Sequence, residues 1–592
     1  MIEQQKDIQS LLSTPPSNKR QETARLPIYN PMGILSAAVP SQPSYSFFPS
    51  KQTALKLWNA YIERIEGCSG IKLLHIPTDE ARLCATMESP ADAQPEDLAL
   101  CYAVFFAAMA VMHPTEAQAL VQQHEEDAAT VQARCKIGLE QALTEAEVLD
   151  KPTLPLLCAL ALYLSALQLH NRGKGIWVLN GLAIRIAQGM GLHRDGERLG
   201  LSPFQSELRR RVWWHIISRD GRAAEDYGLQ RFCNMRTDAG LPLHVDDTDL
   251  HPDMTALPRA RVGTYTAMTL PLVNFAIARA MRRLSSVAAA ATPASPPEES
   301  ARVQIIQEAK QRVDELLAGC NPVIPRHRLA LLASRLAIRK ADLVSRQQWL
   351  ALAHHHHSHH NHNGNDNAES DSSSKEAFAT DENLAEALDV LDLTLQMWND
   401  EMLKPYSWLW KTNPEYHVVM YLLWHLCVRP PEREPNVSRA WSMVDRWFAE
   451  SREIIGEEGE AEGSGSNNKG AILVALRRKA ALMREASVGR EAGTGAGSEW
   501  RGRTRRDDMK GGGGGGGDLE QSANLPPAIP HNQEQQPPLP WGDDTWGPLR
   551  RMSMGVGLEN EAWTTDLDQV PDWGAFIQAF QFDGQNLPGM TW

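Results

Sequence analysis

Apolar residues recur along this chain at intervals of three and four, and strand-like alternation is scarce, which predicts an all-α body. The helical spacing begins in KQTALKLWNAYIERI, where Leu55, Trp58, Ile62 and Ile65 form the first expected stripe. Two stretches have no polar face: LALCYAVFFAAMAV within Pro95 to Met112, and LPLLCALALYLSALQL within Thr153 to Leu169. Both fall short of the roughly 20 apolar residues that cross a bilayer, so they predict core helices. Pro155 fits the second only if it lies in the first turn. A helix over Thr130 to Glu147 separates them.

From Gly175 to Gly191, residues Leu179, Leu182, Ile186 and Met190 make a stripe that Trp177 and Ile184 widen, and Gly189 and Gly191 mark its end. The clearest start is SPFQSELRRRVWWHII. Ser202 can cap, Pro203 takes the first helical position, and Gln205 follows the cap by three. Its packing face is Phe204, Leu208, Val212, Trp213 and Ile216. Further helices are expected at 262–284, 301–318, 326–350, 383–404, 414–428, 437–454 and 470–485.

Low-complexity stretches divide this pattern. Residues 1–50, rich in Pro, Ser and Gln, read as a flexible lead-in. The helical body spans 51–485 with insertions at 286–299, 354–382 and 456–469. A linker at 486–540, with seven consecutive glycines at 511–517, leads to an acidic, aromatic tail at 541–592.

Composition changes the picture modestly. At 592 residues the chain is long enough for one or two lobes. A net charge of −14 argues against broad electrostatic binding to nucleic acid or an anionic membrane, and leaves room for a local basic patch. The opening MIEQQKDIQSLLSTPPSNKR lacks the apolar core of a secretory signal, so a soluble intracellular protein with no membrane contact is expected. The eight scattered cysteines form no CxxC pair and read as buried thiols.

Candidate chemistry is sparse. His354, His355, His356, His357, His359, His360 and His362 can catch zinc or nickel, but their Asn, Gly and Ser surroundings favour a low-complexity insertion over a fixed metal geometry. Asp246, Asp247 and Asp249 suggest a magnesium site or, preferably, turn and cap bonds to backbone N–H groups. Arg209, Arg210 and Arg211 beside Trp213 and Trp214 suit nucleic-acid contact, yet internal pairing or partner contact is preferred, with Asp220, Glu225 and Asp226 close in sequence. RGRTRRDDMK at 501–510 is a candidate nuclear-import address. The chain has no HExxH, GxxxxGK or GxSxG spacing, so no catalytic, metal or cofactor residues are assigned.

The stretch NRGKGIWVLNGLAIRIAQGMGLHRDGERLGLSPFQSELRRRVWWHIISRDGRAAEDYGL, continued by MRTDAGLPLHVDDTDLHPDM, resembles the middle homology region of fungal binuclear zinc-cluster transcription factors. LWNAYIERIEGCSGIKLLHIPT, ending at Thr78, is similar to the entry of that regulatory domain. The resemblance covers roughly residues 50–450. It implies an all-helical regulatory domain working in the nucleus beside a zinc-cluster DNA reader. The family's six-cysteine cluster does not precede residue 50 here, so the resemblance supports transcriptional regulation more strongly than direct DNA recognition, and both a reading frame truncated ahead of the cluster and regulation through partners stay open. Those partners are transcriptional coregulators or a DNA-binding protein, with homo- or hetero-oligomers and a small-molecule effector as further expectations. Alternative readings are a non-catalytic scaffold and, behind it, a small-molecule-binding enzyme.

The tail supplies the expected partner contact. In DWGAFIQAFQF, residues Trp573, Phe576, Ile577 and Phe580 can share one helical face, with Asp572 as a cap. Surrounding carboxylates keep such a segment exposed until a groove buries its rings. Docking of these aromatics back onto the parent domain is the competing reading.

Overall fold

Residues Leu98 to Val111 are buried without exception, as are Leu156 to Leu169, and these two helices form the centre of the molecule. A computed structural model describes residues 42–66, 68–121, 127–170, 175–227, 237–290, 298–360, 379–412, 415–429, 435–451 and 473–485. In it the first eight α-helices are α1 (Lys51–Arg64), α2 (Ile76–Glu88), α3 (Pro95–Val111), α4 (Pro114–Val121), α5 (Ala128–Glu145), α6 (Leu154–His170), α7 (Gly175–Gly189) and α8 (Pro203–Tyr227). They are followed by α9 (Thr269–Ala290), α10 (Glu299–Leu317), α11 (Pro325–His360), α12 (Asp381–Trp398), α13 (Trp408–Thr412), α14 (Tyr416–Val428) and α15 (Pro435–Glu450). Residues 473–485 are also helical. Among the described residues there is no strand, only an isolated bridge between Glu66 and Ile71. No helix among them is long and apolar enough to cross a membrane.

Helix α3 packs on α6 and α5, with α1 on another side, which explains why neither α3 nor α6 needs a polar face. Pro95 opens α3 and Pro155 lies in the first turn of α6, where a missing N–H costs nothing. Close packing of α5 on α3 depends on Gly138, because a methyl group there would lie 2.5 Å from the Tyr102 ring. The Tyr102 hydroxyl donates to the Ser44 carbonyl at 2.7 Å, fastening the short 3₁₀ turn Ser44–Phe47 onto this core. A second layer is built by α9, α10 and α11 around Leu284, Ile305, Ala341 and Trp349. Helix α12 then joins α11 to α14 and α15.

Several boundaries differ from the sequence reading. In α1 the buried face is Ala54, Leu57, Trp58 and Tyr61, while Leu55 is exposed. Trp58 and Ile65 keep their expected places, but the stripe is rotated towards Tyr61, whose hydroxyl finds a buried carboxylate partner. In α7 the buried positions include Leu179, Ile184 and Ile186 as expected, and also Asn180, Ala183 and Ala187; Leu182 and Trp177 are only partly covered. The helix expected at 262–284 starts at Thr269, because Gly263 with φ +66° holds the preceding chain in a loop. The span 383–404 breaks after Trp398, where the Asp400 carboxylate accepts from the Met402 N–H at 3.0 Å and starts a 3₁₀ turn, Glu401–Tyr406.

Helices α2, α4 and α13 have no counterpart in the sequence reading. Helix α2 buries only Leu83, Thr86 and Met87, too few apolar positions to announce a helix. The helical backbone also enters two stretches read as insertions. Helix α9 runs to Ala290, inside 286–299, and α11 runs to His360, inside 354–382. The rest of the second insertion to 378, the third at 456–469, the lead-in to residue 41, the linker 486–540 and the tail 541–592 lie outside the described residues.

Candidate functional site

A cluster of buried charges lies where α8 meets the chain that follows it. The start of α8 forms as its sequence requires. The Gln205 N–H donates to the Ser202 hydroxyl oxygen at 3.2 Å, and the Ser206 N–H donates to the Ser202 carbonyl at 2.9 Å. Phe204, Val212, Trp213 and Ile216 are buried as expected, while Leu208 is only partly covered. Ser206, Glu207, Arg210, Arg211 and His215 are buried as well, so α8 carries charge into the core.

Each arginine of the triplet has its own destination. Arg209 donates to the Met190 carbonyl at the exit of α7. Arg210 makes a fork to Asp195 at 2.9 and 2.7 Å and reaches Glu197 at 3.0 Å. Arg211, with no exposed surface, donates to Asp247 at 2.7 Å, and Glu207 lies one turn before it. Internal pairing is therefore what the triplet does. The partners seen are the Met190 carbonyl, the acids of the loops at 195–197 and 247, and Glu207 on α8.

Asp247 is the hub. Besides Arg211, it accepts from the Lys72 ammonium at 2.6 Å and from the Ile76 N–H at 2.9 Å. Lys72 also donates to Glu66 at 2.6 Å, and the other Glu66 oxygen accepts from the Tyr61 hydroxyl at 2.6 Å. The Glu207 carboxylate accepts the Leu243 N–H at 3.1 and 3.2 Å. Three segments distant in sequence thus share one buried chain of charges: Tyr61 to Ile76, Glu207 to Arg211, and Leu243 to Asp247.

The remaining acids of the DDTD turn do what turn chemistry predicts. The Asp249 carboxylate accepts the Asp246 N–H at 3.0 Å, and Arg261 donates to Asp249 at 2.7 and 2.8 Å and to Asp246 at 2.8 Å. Two buried histidines flank the turn. His75 contacts the Asp247 carbonyl at 3.0 Å, and His244 lies between the Arg261 carbonyl and the Thr269 hydroxyl at 2.9 Å from each.

The electrostatics follow from this geometry. Burial alone would raise Asp247, but the charges of Lys72 and Arg211 overcome it and hold the carboxyl at about 2. The same contest at Asp195 is won by Arg210 and by the Gly240 and Glu197 N–H groups, again bringing it to about 2. Glu66 and Glu207 go the other way, because burial outweighs their cations. Burial, with Arg219 nearby, lowers the imidazole of His215 to about 3; it contacts the Ser165 hydroxyl at 3.1 Å.

A surrounding belt fixes the corner. The Asp195 carboxylate also accepts the Gly240 N–H at 2.9 Å, and the Trp214 indole donates to the Gly240 carbonyl at 2.7 Å. The exit of α7 passes through Gly191 at φ +77°, a left-handed position that favours glycine. This arrangement binds chain to chain. Arg210, Arg211 and Lys72 are paired with its own carboxylates and Arg209 with the Met190 carbonyl, which is the chemistry of a clamp.

The other sequence candidates fall elsewhere. Trp573, Phe576, Ile577 and Phe580, and the basic stretch 501–510, lie outside the described residues. The backbone of His354 to His360 is helical in α11, and His362 lies outside. Among the described residues no group of His, Cys, Asp or Glu converges as a metal site. The seven described cysteines are free thiols; Cys68, Cys101, Cys135, Cys158 and Cys427 are buried, and Cys84 and Cys320 are partly covered. Lys72, Glu66 and Asp195 were not singled out in the sequence. Lys72 did leave a trace, as the one charge inside the otherwise apolar run GIKLLHI.

Apart from Tyr61 and Glu66, this corner lies inside a stretch that matches a known domain. Residues 68–288 match the model of the fungal specific transcription factor domain, and the resemblance drawn at 171–252 falls inside that match. The chain is similar to the aurofusarin cluster transcription factor aurR2 of Gibberella zeae, 28% identical over 57% of this chain and 49% of the relative. It is also similar to the pyriculol/pyriculariol biosynthesis cluster transcription factor 1 of Pyricularia oryzae, 34% identical over 40% of this chain and 32% of the relative. A third relative is the transcriptional regulator AacuB of Aspergillus aculeatus, 24% identical over 68% of this chain and 52% of the relative. The chain thus spans about a third to a half of the length of these relatives.

Proposed function

We propose that this protein regulates transcription in the nucleus, without catalysis, through its helical regulatory domain and protein partners. The observation that carries this reading is the match of residues 68–288 to the fungal specific transcription factor domain, in a stretch where the buried Lys72, Arg210 and Arg211 are paired with carboxylates of the fold. The three relatives, a cluster transcription factor in two cases and a transcriptional regulator in the third, support it. In this account the regulatory body is a scaffold and the tail residues Trp573, Phe576, Ile577 and Phe580 are the coregulator contact. Aromatic residues interspersed with carboxylates suit a partner groove that excludes water from the rings while the acids remain solvated.

The test is to follow a fluorescently tagged full chain in a fungal cell and to compare transcript levels with and without the protein. The expected outcome is nuclear enrichment together with a reproducible change in a restricted set of transcripts. Exclusion from the nucleus with an unchanged transcript profile would overturn the reading and favour a cytoplasmic scaffold.

A further inference from the structure

Two serines in this chain follow a pair of arginines with one residue between, Ser285 in RRLS and Ser553 in RRMS. Ser553 lies outside the described residues, whereas Ser285 stands near the end of α9. Its side chain is exposed, and its hydroxyl donates to the Met281 carbonyl one turn back at 2.9 Å. Arg283 is exposed as well and pairs with Glu308 of α10. Arg282 places its guanidinium carbon 5.5 Å from the centre of the Trp214 ring on α8. Leu284, between the arginines and the serine, is 1% exposed and belongs to the apolar cluster that α9 shares with α10 and α11.

Beyond Leu284 the helix has little to hold it. Ser286 is exposed, and only Val287 and Ala288 pack, partly buried, on that cluster. Pro293 comes three residues after the last helical residue, Ala290, and proline has no N–H with which to prolong a helix. Helix ends held by few buried contacts open locally at lower cost than the core. Opening as far as Arg282 releases one fully buried side chain, Leu284, and one exposed ion pair. The opened stretch presents two arginines, a serine and the apolar Val287 as an extended chain, the form in which a kinase reads its substrate. Arginines two and three residues ahead of the acceptor suit a kinase whose cleft is lined with carboxylates, because each guanidinium takes a charge-assisted partner there.

We propose that Ser285 is a phosphorylation site for an arginine-directed serine kinase, and that its phosphate detaches the end of α9 from α8 and α10. In the transfer the Ser285 oxygen bonds to the γ-phosphorus of ATP while the bond from that phosphorus to the bridging oxygen breaks. ADP leaves, and the hydroxyl proton passes to the kinase's base. The ester oxygen carries no proton, so the bond to the Met281 carbonyl is lost. The phosphate adds a charge of about −1.5 to −2 close to the negative end of the helix, where the dipole opposes it. It also offers the two arginines a stronger partner than an aromatic face or an exposed carboxylate. Ser285 falls within the stretch matched to the regulatory domain, so the modification would act on that domain directly. It stands whether or not the tail contacts a coregulator.

The test uses the purified full chain, magnesium ATP and the catalytic subunit of cyclic-AMP-dependent protein kinase, which selects arginines at these two positions. Phosphate on Ser285 and on Ser553 is quantified separately by mass spectrometry. Near-stoichiometric phosphate on Ser285 is expected. Arg282→Ala with Arg283→Ala should slow its appearance at least tenfold and leave Ser553 unaffected. Hydrogen exchange is then compared among the treated chain, its untreated parent and treated Ser285→Ala. Amides of residues 284–290 should exchange at least tenfold faster in the treated chain than in the other two. Ser285 is exposed, and matching thermal melts before treatment confirm that the variants are folded. Phosphate on Ser553 with none on Ser285 would show that the helix withholds its serine and would overturn the proposal. Phosphate on neither serine, from a kinase active on a standard arginine-containing peptide, would do the same. Phosphate on Ser285 with unchanged exchange would overturn the detachment of α9.

Discussion

Arg211 on α8 and Asp247 in the following turn form a 2.7 Å ion pair around which the regulatory domain closes. Lys72 joins the same carboxylate at 2.6 Å from a segment more than a hundred residues earlier. Removing one member of a buried pair leaves the others charged and unpaired, which typically costs about 3–5 kcal/mol. Asp247→Asn is therefore expected to destabilise the folded body by about that amount at pH 7 in urea unfolding. The penalty should shrink under acid. Asp247 titrates at about 2 in the fold against roughly 3.9 when unfolded. Its contribution is present above about pH 4 and is lost as pH falls towards 2. A variant as stable as the parent at pH 7 would remove the clamp from the account.

Ser202 gives a smaller and more local effect. Its hydroxyl oxygen accepts the Gln205 N–H, so Ser202→Ala should lower stability by roughly 0.5–2 kcal/mol. A thermal melt without a shift would show that the cap contributes nothing. Ser202→Asp, which keeps an acceptor at the positive end of the helix dipole, should restore most of the loss.

Two glycines on either side of the Leu192 to Asp195 loop separate backbone strain from crowding. Gly191 has φ +77°, but a methyl group there would meet its nearest neighbours at 3.6 and 3.7 Å. Gly191→Ala should cost only the left-handed conformation, roughly 1–2 kcal/mol. Gly196 has no such φ, yet its methyl group would lie 2.8 Å from the Ser206 Cα, where backbone would have to move. Gly196→Ala is expected to be the more damaging of the two. The reverse order in chemical unfolding would contradict the packing of this turn on α8.

His215 predicts a pH dependence of its own. The fold holds it at about 3 against 6.5 for the free side chain, so the unfolded chain binds the extra proton first. Stability then falls as pH drops below about 6.5 and continues to fall towards 3. This single group contributes about 2 kcal/mol of loss between pH 7 and pH 5. His215→Gln, which can still contact Ser165, should show a flatter profile over that window. Identical slopes for the parent and the variant would show that His215 is not held neutral.

Much of the helical body was legible in the sequence, for reasons visible in particular elements. Helices α3 and α6 announce themselves because a helix buried on all sides has no polar residues to interrupt it. Helix α8 does so through Ser202, Pro203 and Gln205, whose chemistry suits a helix start. Helix α2 escaped because its few buried positions, Leu83, Thr86 and Met87, leave no periodic signal. The stripe in α1 was misplaced because Tyr61, which was not part of it, is buried with its hydroxyl bonded to Glu66, while Leu55 faces solvent. The charge cluster shows the deeper limit. The inward turn of the triplet was anticipated, but its partners depend on a chain path that brings residues 66–76 and 195–197 to α8, and no local pattern encodes that path. The role of Asp247 in particular is a tertiary fact. Within DDTD it looks like its neighbours, yet they close a turn and it holds the core.

The central claim, that this protein controls transcription through a clamped regulatory body and an acidic aromatic contact, meets its most direct test in a tethered reporter. The full chain is fused to a heterologous DNA-binding module, and reporter transcript is measured in a fungal host at matched protein abundance. The account predicts that the fused chain shifts reporter transcript several-fold. It also predicts that Trp573→Ala with Phe576→Ala and Phe580→Ala removes most of the shift without lowering abundance. A stably expressed fusion that leaves the reporter unchanged would contradict the account, and an undiminished shift in the triple variant would contradict its assignment to the tail.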